Sequence, residues 1–449
     1  MGSTRRGGVR VADIRWTVRT PETVMLGNAE AKCGYNQLRQ FPPSIERSQK
    51  RDVHHMPEQV EKKQLANGKL AYIQALRGIA ALMVVLYHGS RFISPYGTGM
   101  GDVLFGPAGV MGVGLFFILS GFIMVHTTLG SDGSPAYVIE FLIKRFSRVW
   151  PVYAVASVSF VVLVWYGRHF FQVPGHLRQL LCTLLFVPTG DGAPPDFGFP
   201  IPSVGWSLNY EMYFYAVFGF SMLFGRARWI ALAAWLGVTL LLAPYLHGHA
   251  ITFDASTDYG FKHAYVQLVT SPVIWQFAAG VILGLVYRSR VVICNGRMLK
   301  MLLFVTVSFV LWQYMSRFQM GLGVTQSGLS LIPLMLSLVL ASKRVSLKAL
   351  GPLTHLGDLS FSLYLWHPLV QETLCDMLVK TGHGDLSYGY SFLFLTTAVA
   401  IVVAAASHTF LERGLAEYVK NRLLGGLRGR KAMLADLAEV SRLPSTPGN

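Results

Sequence analysis

Runs of about 20 apolar residues recur from Tyr72 to Phe410, and this repetition constrains the fold more than any other feature of the 449-residue chain. A bilayer core offers no water to an unpaired peptide group, so runs of that length cross it as helices. Ten segments have the length: 72–92, 108–127, 150–167, 206–224, 229–247, 266–287, 299–316, 326–342, 358–379 and 389–411. A further stretch, 178–188 (RQLLCTLLFVP), is apolar but too short, and reads as a re-entrant or interfacial helix. Composition agrees, since 14% of residues are charged where a soluble domain carries about a quarter. The expected fold class is an all-α integral membrane protein with about ten transmembrane helices.

The formal charge of +16 would suggest a nucleic-acid partner in a soluble chain. Here the basic residues follow topology instead. With a cytoplasmic N-terminus, the inner connections hold Lys144, Arg145 and Arg148, then Arg226 and Arg228, then Arg288, Arg290, Arg297 and Lys300, then Lys343, Arg344 and Lys348. The outer ones hold only Arg91, Arg168, Arg178, Lys262, Arg317 and Lys380. Ten spans with both termini cytoplasmic satisfy the positive-inside rule, whereas counting 178–188 as an eleventh would put the later basic loops outside. The lipid bilayer is the expected partner, and no nucleic acid. Residues 1–64 read as a disordered cytoplasmic extension without a secretory leader, with Met56 opening a natural short leader as the alternative start; 65–424 read as the membrane domain and 425–449 as a cytoplasmic tail. Cys33, Cys182, Cys294 and Cys375 lie far apart and without nearby ligands, so they read as packing residues, with no metal expected. The Gly97, Gly99 and Gly101 run follows no strand and reads as an outer loop.

Ionisable residues inside spans are costly and mark function by default. Arg77 and His88 in LRGIAALMVVLYH are eleven apart, which sets them within about 20° on one helix face and about 16 Å apart along the axis. The bland alternative is that each snorkels to its nearer headgroup layer. WSLNYEMYFY carries Ser207, Glu211 and Tyr215 as one stripe, and LGDLSFSLYLWHPLVQ carries Ser360, Tyr364, His367 and Gln371 as another, with Asp358 in position to cap the helix start. Singly, each is a helix-packing hydrogen bond; together they outline a polar cavity at membrane depth. In LIKRFSRVWP, on the connection between spans two and three, Arg145 and Arg148 share one side of any helix and suit phosphate, against the plain positive-inside reading.

In order along the chain, this set resembles the acyltransferase family 3 membrane proteins. The matches are Arg77-x10-His88, GVGLFFILSGF (Gly112–Phe122), Arg145-x-x-Arg148, WSLNYE (Trp206–Glu211), FAAGVILG (Phe277–Gly284), LGDLSFSLYLWHP (Leu356–Pro368) and SHTFLER (Ser407–Arg413), spanning about residues 70–415. Phe361 stands where many members have Tyr, and Gly414 where Pro is usual. The fused hydrolase-like domain of some members is not expected here, so activity falls to the membrane part.

The resemblance implies an O-acyltransferase of a bacterial inner membrane that moves an acyl group, most commonly acetyl, from acyl-CoA to a hydroxyl of a surface or exported polysaccharide or its lipid-linked precursor. Acyl-CoA is then a co-substrate, with no permanently bound cofactor. On that reading Arg145 and Arg148 hold the CoA phosphates, and Arg77 meets the pantetheine arm or balances Glu211. His88 is the general base, with Glu211 and His367 in the same polar cavity. Ser120, Trp206, Ser207, Tyr364 and His367 are the candidates that meet substrate or the oxyanion. A polytopic transporter or flippase lined by the same residues is the alternative, weakened by the lack of an inverted repeat.

Overall fold

Each of the ten predicted segments holds helix over most of its described length, and among the described residues no strand forms. The structure is a computed structural model that describes residues 71–427 apart from 94–99, 166, 191, 294 and 345–350. The expected extension 1–64, the tail from 428 onward, Cys33, Cys294, Gly97 and Gly99 lie outside the described residues. Cys182 and Cys375 are free and half-buried.

The helices run α1 (Ala71–Ser90), α2 (Met100–Thr127), α3 (Pro135–Leu163), α4 (Arg168–Gln172), α5 (His176–Leu184), α6 (Trp206–Met222), α7 (Arg228–Gly237) and α8 (Ala243–Leu246). They continue with α9 (Ala264–Thr270), α10 (Ile274–Arg288), α11 (Gly296–Ser316), α12 (Gly328–Ser342), α13 (Gly351–Asp358), α14 (Ser360–Lys380) and α15 (Gly389–Ser407). A π-helical turn, Val238–Leu242, joins α7 to α8, and another, His408–Leu415, extends α15. Six helical stretches are long and apolar enough to cross a membrane, and a seventh forms if α9 and α10, bent by 41°, count as one. α12 is apolar but has only 15 residues, and α6 only 17. α14 has 21 residues, but Ser360, Ser362, His367, Gln371, Glu372 and Asp376 lower its hydropathy. The helices that fail on apolarity or length include the two carrying the polar stripes.

α3 corrects one expectation. Arg145 and Arg148 were assigned to a connection ahead of a span at 150–167, whereas a single helix begins at Pro135 and carries both. They are its eleventh and fourteenth residues, about 15 and 20 Å from its start. The Ser134 side chain accepts from the Tyr137 amide, and Pro135 stands in the first turn where its missing N–H costs nothing. Val138, Phe141 and Val149 bury the same helix against the bundle. Asp358 is a second correction, for it ends α13, while Leu359 is the N-cap of α14 and makes no side-chain cap bond.

Lipid-like surroundings are written on the surface. Phe304, Met301 and Met315 on α11 are 72%, 65% and 67% exposed, an apolar exterior that water would not tolerate over such an area. Inside, contact is close because side chains are small where backbones cross. α2 packs along α1 on one side and α10 on the other. At the α2–α10 crossing a Cβ on Gly121 would lie 2.2 Å from the Phe277 carbonyl, and one on Gly280 2.0 Å from the Ile118 carbonyl. Neither clash relaxes through a side chain. Gly121→Ala is therefore expected to destabilise the bundle by about 1–3 kcal/mol, the usual cost of overpacking; thermal unfolding of the detergent-solubilised protein measures it, and an unchanged midpoint would contradict the close crossing. Beside it, Phe214 and Phe277 stack at 3.9 Å and tie α6 to α10.

Candidate active site

α1, α2, α3, α6 and α14 enclose a cleft of about 840 Å³, counted out to its open mouth. Its polar lining is Arg77, Ser120, Arg145, Arg148, Ser207, Glu211, Tyr215, Ser360 and Tyr364, and its apolar walls include Phe116, Phe117, Leu119 and Met124. Seven of the ten residues singled out from sequence therefore line one space. Three arginines face one glutamate there, leaving two positive charges uncompensated among the lining residues.

The Glu211 carboxylate accepts a hydrogen bond from the Tyr215 hydroxyl one turn along α6. Arg145 lies over the rings of Tyr215 and Phe141, at 5.3 and 5.4 Å, and donates to the Thr127 hydroxyl at 2.6 Å. Aromatic faces hold a guanidinium without consuming its donors. Arg148 makes no hydrogen bond or ion pair among the described residues, and both arginines also line a neighbouring groove with Thr127, Tyr137, Glu140, Phe141 and Lys144. Arg77 donates to Gln74 Oε1 at 3.0 Å and has no carboxylate within ion-pair distance among the described residues. The i, i+3 spacing of Gln74 and Arg77 was a readable signal for that contact.

His88 and His367 do not line the cleft. They pair with each other, His88 Nδ1 lying 3.4 Å from His367 Nε2 and the ring centroids 5.1 Å apart. The bonding pattern assigns the tautomers. His88 Nδ1 faces the Val84 carbonyl at 2.9 Å, and His367 Nδ1 faces that of Leu363 at 3.1 Å, so both carry their proton on Nδ1. Pro368 leaves the Tyr364 carbonyl without an amide partner, and the His367 ring faces that carbonyl as well. His367 Nε2 is thus an acceptor for His88, and His88 Nε2 is left with an unused lone pair. Gln371, one turn on, donates to the Val85 carbonyl at 3.1 Å and fixes α14 on α1.

One ring borders both the pair and the cleft. Tyr364 lines the cleft, packs edge-on to Phe116 at 5.7 Å, and meets the His367 ring at 6.2 Å on its other side. Its hydroxyl donates to the Val204 carbonyl and accepts from Ser207, each at 2.8 Å. Ser120 sits lower. A Cβ on Gly112 of α2 would meet Ala80 and Val84 of α1, and eight residues further along the antiparallel α2 is about 12 Å away, on the Arg77 side. Trp206 does not reach the cleft, since its ring packs edge-on against Phe117 and Tyr210. One polar cluster escaped the site residues drawn from sequence: Ser362, Trp366, Ser407, His408 and Glu412, spread over α14 and the π-turn.

A family model described as an acyltransferase domain matches residues 70–405. Exopolysaccharide production protein ExoZ of Rhizobium meliloti is 29% identical over 332 residues, 72% of this chain and 95% of its own. Acyltransferase MdmB of Streptomyces mycarofaciens is 24% identical over 371 residues, 77% of this chain and 91% of its own. Peptidoglycan O-acetyltransferase OatA of Listeria monocytogenes is 23% identical over 388 residues, 80% of this chain and 57% of its own. No solved structure matches the chain. With the family model spanning three quarters of the sequence and both the cleft and the histidine pair inside that span, the chain belongs to acyltransferase family 3, the membrane O-acyltransferases.

Proposed function

We propose that the protein moves an acetyl group from acetyl-CoA, taken from the cytoplasm, to a hydroxyl of a cell-surface or exported polysaccharide or its lipid-linked precursor, in a bacterial inner membrane. The observation that carries this reading is the cleft with three arginines and one glutamate, because such a surplus at membrane depth asks for a bound polyanion. On this reading Arg145 and Arg148 grip the CoA phosphates, and Arg77 and Ser120 follow the arm. The thioester carbonyl comes level with Ser207 and Tyr364, the hydroxyls nearest the histidine pair. His88 Nε2 takes the acceptor's hydroxyl proton as its oxygen bonds to the carbonyl carbon; the C–S bond then breaks, and the CoA thiolate leaves and receives that proton back from His88, which restores the base. His367 orients His88, and Glu211 balances the arginines.

The same reading takes all ten helical segments as spans, with both termini cytoplasmic and 65–424 as the membrane body. α5 then lies in the outer interface. Leu177, Leu181 and the C-cap Leu185 are exposed along one side of it, while Arg178 and Gln179 donate to the Thr189 and Phe199 carbonyls of the following segment, as suits a helix resting on lipid. The transporter or flippase alternative finds no support in relatives that carry acyltransferase names.

The test is direct. Purified protein in lipid nanodiscs, given acetyl-CoA and a deacetylated exopolysaccharide, is expected to release one CoA thiol for each acetyl group gained by the glycan. No thiol release above the protein-free rate, with glycan acceptors of several compositions, would overturn the proposal.

A further inference from the structure

The cleft is charged at one end and uncharged at the other, and two of its helices show the same order. On α2, Thr127 accepts from Arg145 at 2.6 Å, whereas Phe116, eleven residues and about 16 Å back along the axis, meets Tyr364 edge-on at 5.7 Å. On α6, Tyr215 lies under Arg145, whereas Ser207, two turns nearer the helix start, bonds to Tyr364. The uncharged end is thus lined by Phe116, Ser207 and Tyr364. Between Met111 and Gly121 every residue of α2 is buried except Phe116 and Ser120, which are partly open. They stand four apart on one face and both line the cleft, so the open surface of the Phe116 ring faces the ligand space.

The rest of that ring is backed by core. Phe116 packs against a cluster that includes Ala81 and Val85 of α1, Leu363 of α14 and Ala400 of α15, all apolar, all buried, and none of them part of the cleft lining. Its neighbour Tyr364 is held in place, since the hydroxyl donates to the Val204 carbonyl and accepts from Ser207. Two rings therefore close the uncharged end, one fixed by hydrogen bonds and the other by packing alone.

We propose that Phe116 sets the length of the acyl group: its ring is the stop against which the donor's acyl chain ends, admitting a two-carbon group and refusing longer unbranched ones. The proposal rests on the acyl-CoA reading and adds to it the residue that selects the donor. With the phosphates at Arg145 and Arg148 and the thioester level with Ser207 and Tyr364, the acyl carbons come next to Phe116. A ring backed by close-packed core has nowhere to recede, so each further methylene overpacks the site. Taking the ring away opens an apolar hollow bounded by Ala81, Val85 and Leu363. Such a hollow stays dry and accepts apolar groups, so a longer acyl chain gains burial there.

The test compares acetyl-CoA with butyryl-CoA in full-length protein in nanodiscs, with deacetylated exopolysaccharide as acceptor, and reads the ratio of the two kcat/KM values. The parent is expected to prefer acetyl by about a hundredfold or more, at about tenfold for each of two methylenes. Phe116→Ala should narrow that preference by about tenfold or more, chiefly by speeding butyryl transfer. Should it fail to fold, Phe116→Leu carries the test with a smaller narrowing. Loosened packing alone would slow both donors together, and Phe214→Leu, which breaks the stack on Phe277 outside the lining, measures that effect; its preference should stay that of the parent. Three results overturn the proposal: a parent that uses butyryl-CoA as well as acetyl-CoA, an unchanged preference in the folded Phe116 variants, or an equal narrowing in Phe214→Leu. If the parent transfers acetyl, any of these removes the role of Phe116 and leaves the donor reading standing. A parent that transfers neither group overturns the donor reading, and the role of Phe116 falls with it.

Discussion

Alanine in place of His88 is expected to lower acyl transfer by about two to four orders of magnitude, the range that a positioned general base supplies, while acetyl-CoA still binds. The reason is the distribution of protons across the pair. His88 Nδ1 is committed to the Val84 carbonyl and to His367 Nε2, which leaves Nε2 as the available base. His367 is fully buried and has its own Nδ1 tied to Leu363, so it has no lone pair left for a substrate. Its part is to hold the imidazole in one tautomer, much as an acid does in other catalytic pairs, but without a charge. His367→Ala should accordingly cost less than His88→Ala, about tenfold to a hundredfold, and should leave KM for acetyl-CoA alone. Initial rates at saturating acetyl-CoA, with membrane insertion checked by detergent extraction, give the comparison. A His88→Ala enzyme within tenfold of the parent, or a His367→Ala enzyme more damaged than it, would remove His88 from the role of base.

How much of this was legible in the sequence depends on the range of the contact. Arg77 and His88 share a helix, so periodicity alone fixes their common face and their separation. The Ser207, Glu211 and Tyr215 stripe was readable for the same reason, and its Tyr215–Glu211 bond follows from i, i+4 spacing. The histidine pair was not readable, because 279 positions separate its members and only the packing of α14 on α1 joins them. The start of the helix was misjudged at Arg145 and Arg148, because Glu140, Lys144 and the arginines themselves depress hydropathy where the helix is already formed. The cap at Ser134 and the proline after it were the stronger signals. Trp206 was a substrate or oxyanion candidate through the resemblance, and the structure packs its ring edge-on against Phe117 and Tyr210. Glu412 was legible only as part of a resembling motif, since nothing in a sequence announces a π-turn.

Removing both Arg145 and Arg148 is expected to raise the acetyl-CoA KM by about a hundredfold or more, since charge-assisted hydrogen bonds contribute about 1.5–3 kcal/mol each. Two observations set the size. Arg148 has no hydrogen-bonding or ion-pair partner among the described residues and lines both the cleft and the adjoining groove, so its donors face space that a ligand can fill. Arg145 is steadied by Tyr215, Phe141 and Thr127 before any ligand arrives, which lowers the entropy lost on binding. Lysine at position 148 should recover part of the affinity as a point charge but not the forked contact, so Arg148→Lys should fall between the parent and Arg148→Ala. The interaction should also weaken as salt rises, less steeply than for a surface site because both arginines sit well along α3. Binding of acetyl-CoA to each variant in nanodiscs, at low and at physiological ionic strength, measures all three expectations. Equal affinity in the double alanine variant and the parent would leave these arginines with orientation in the membrane as their only function, and the polyanion site would have to be sought elsewhere.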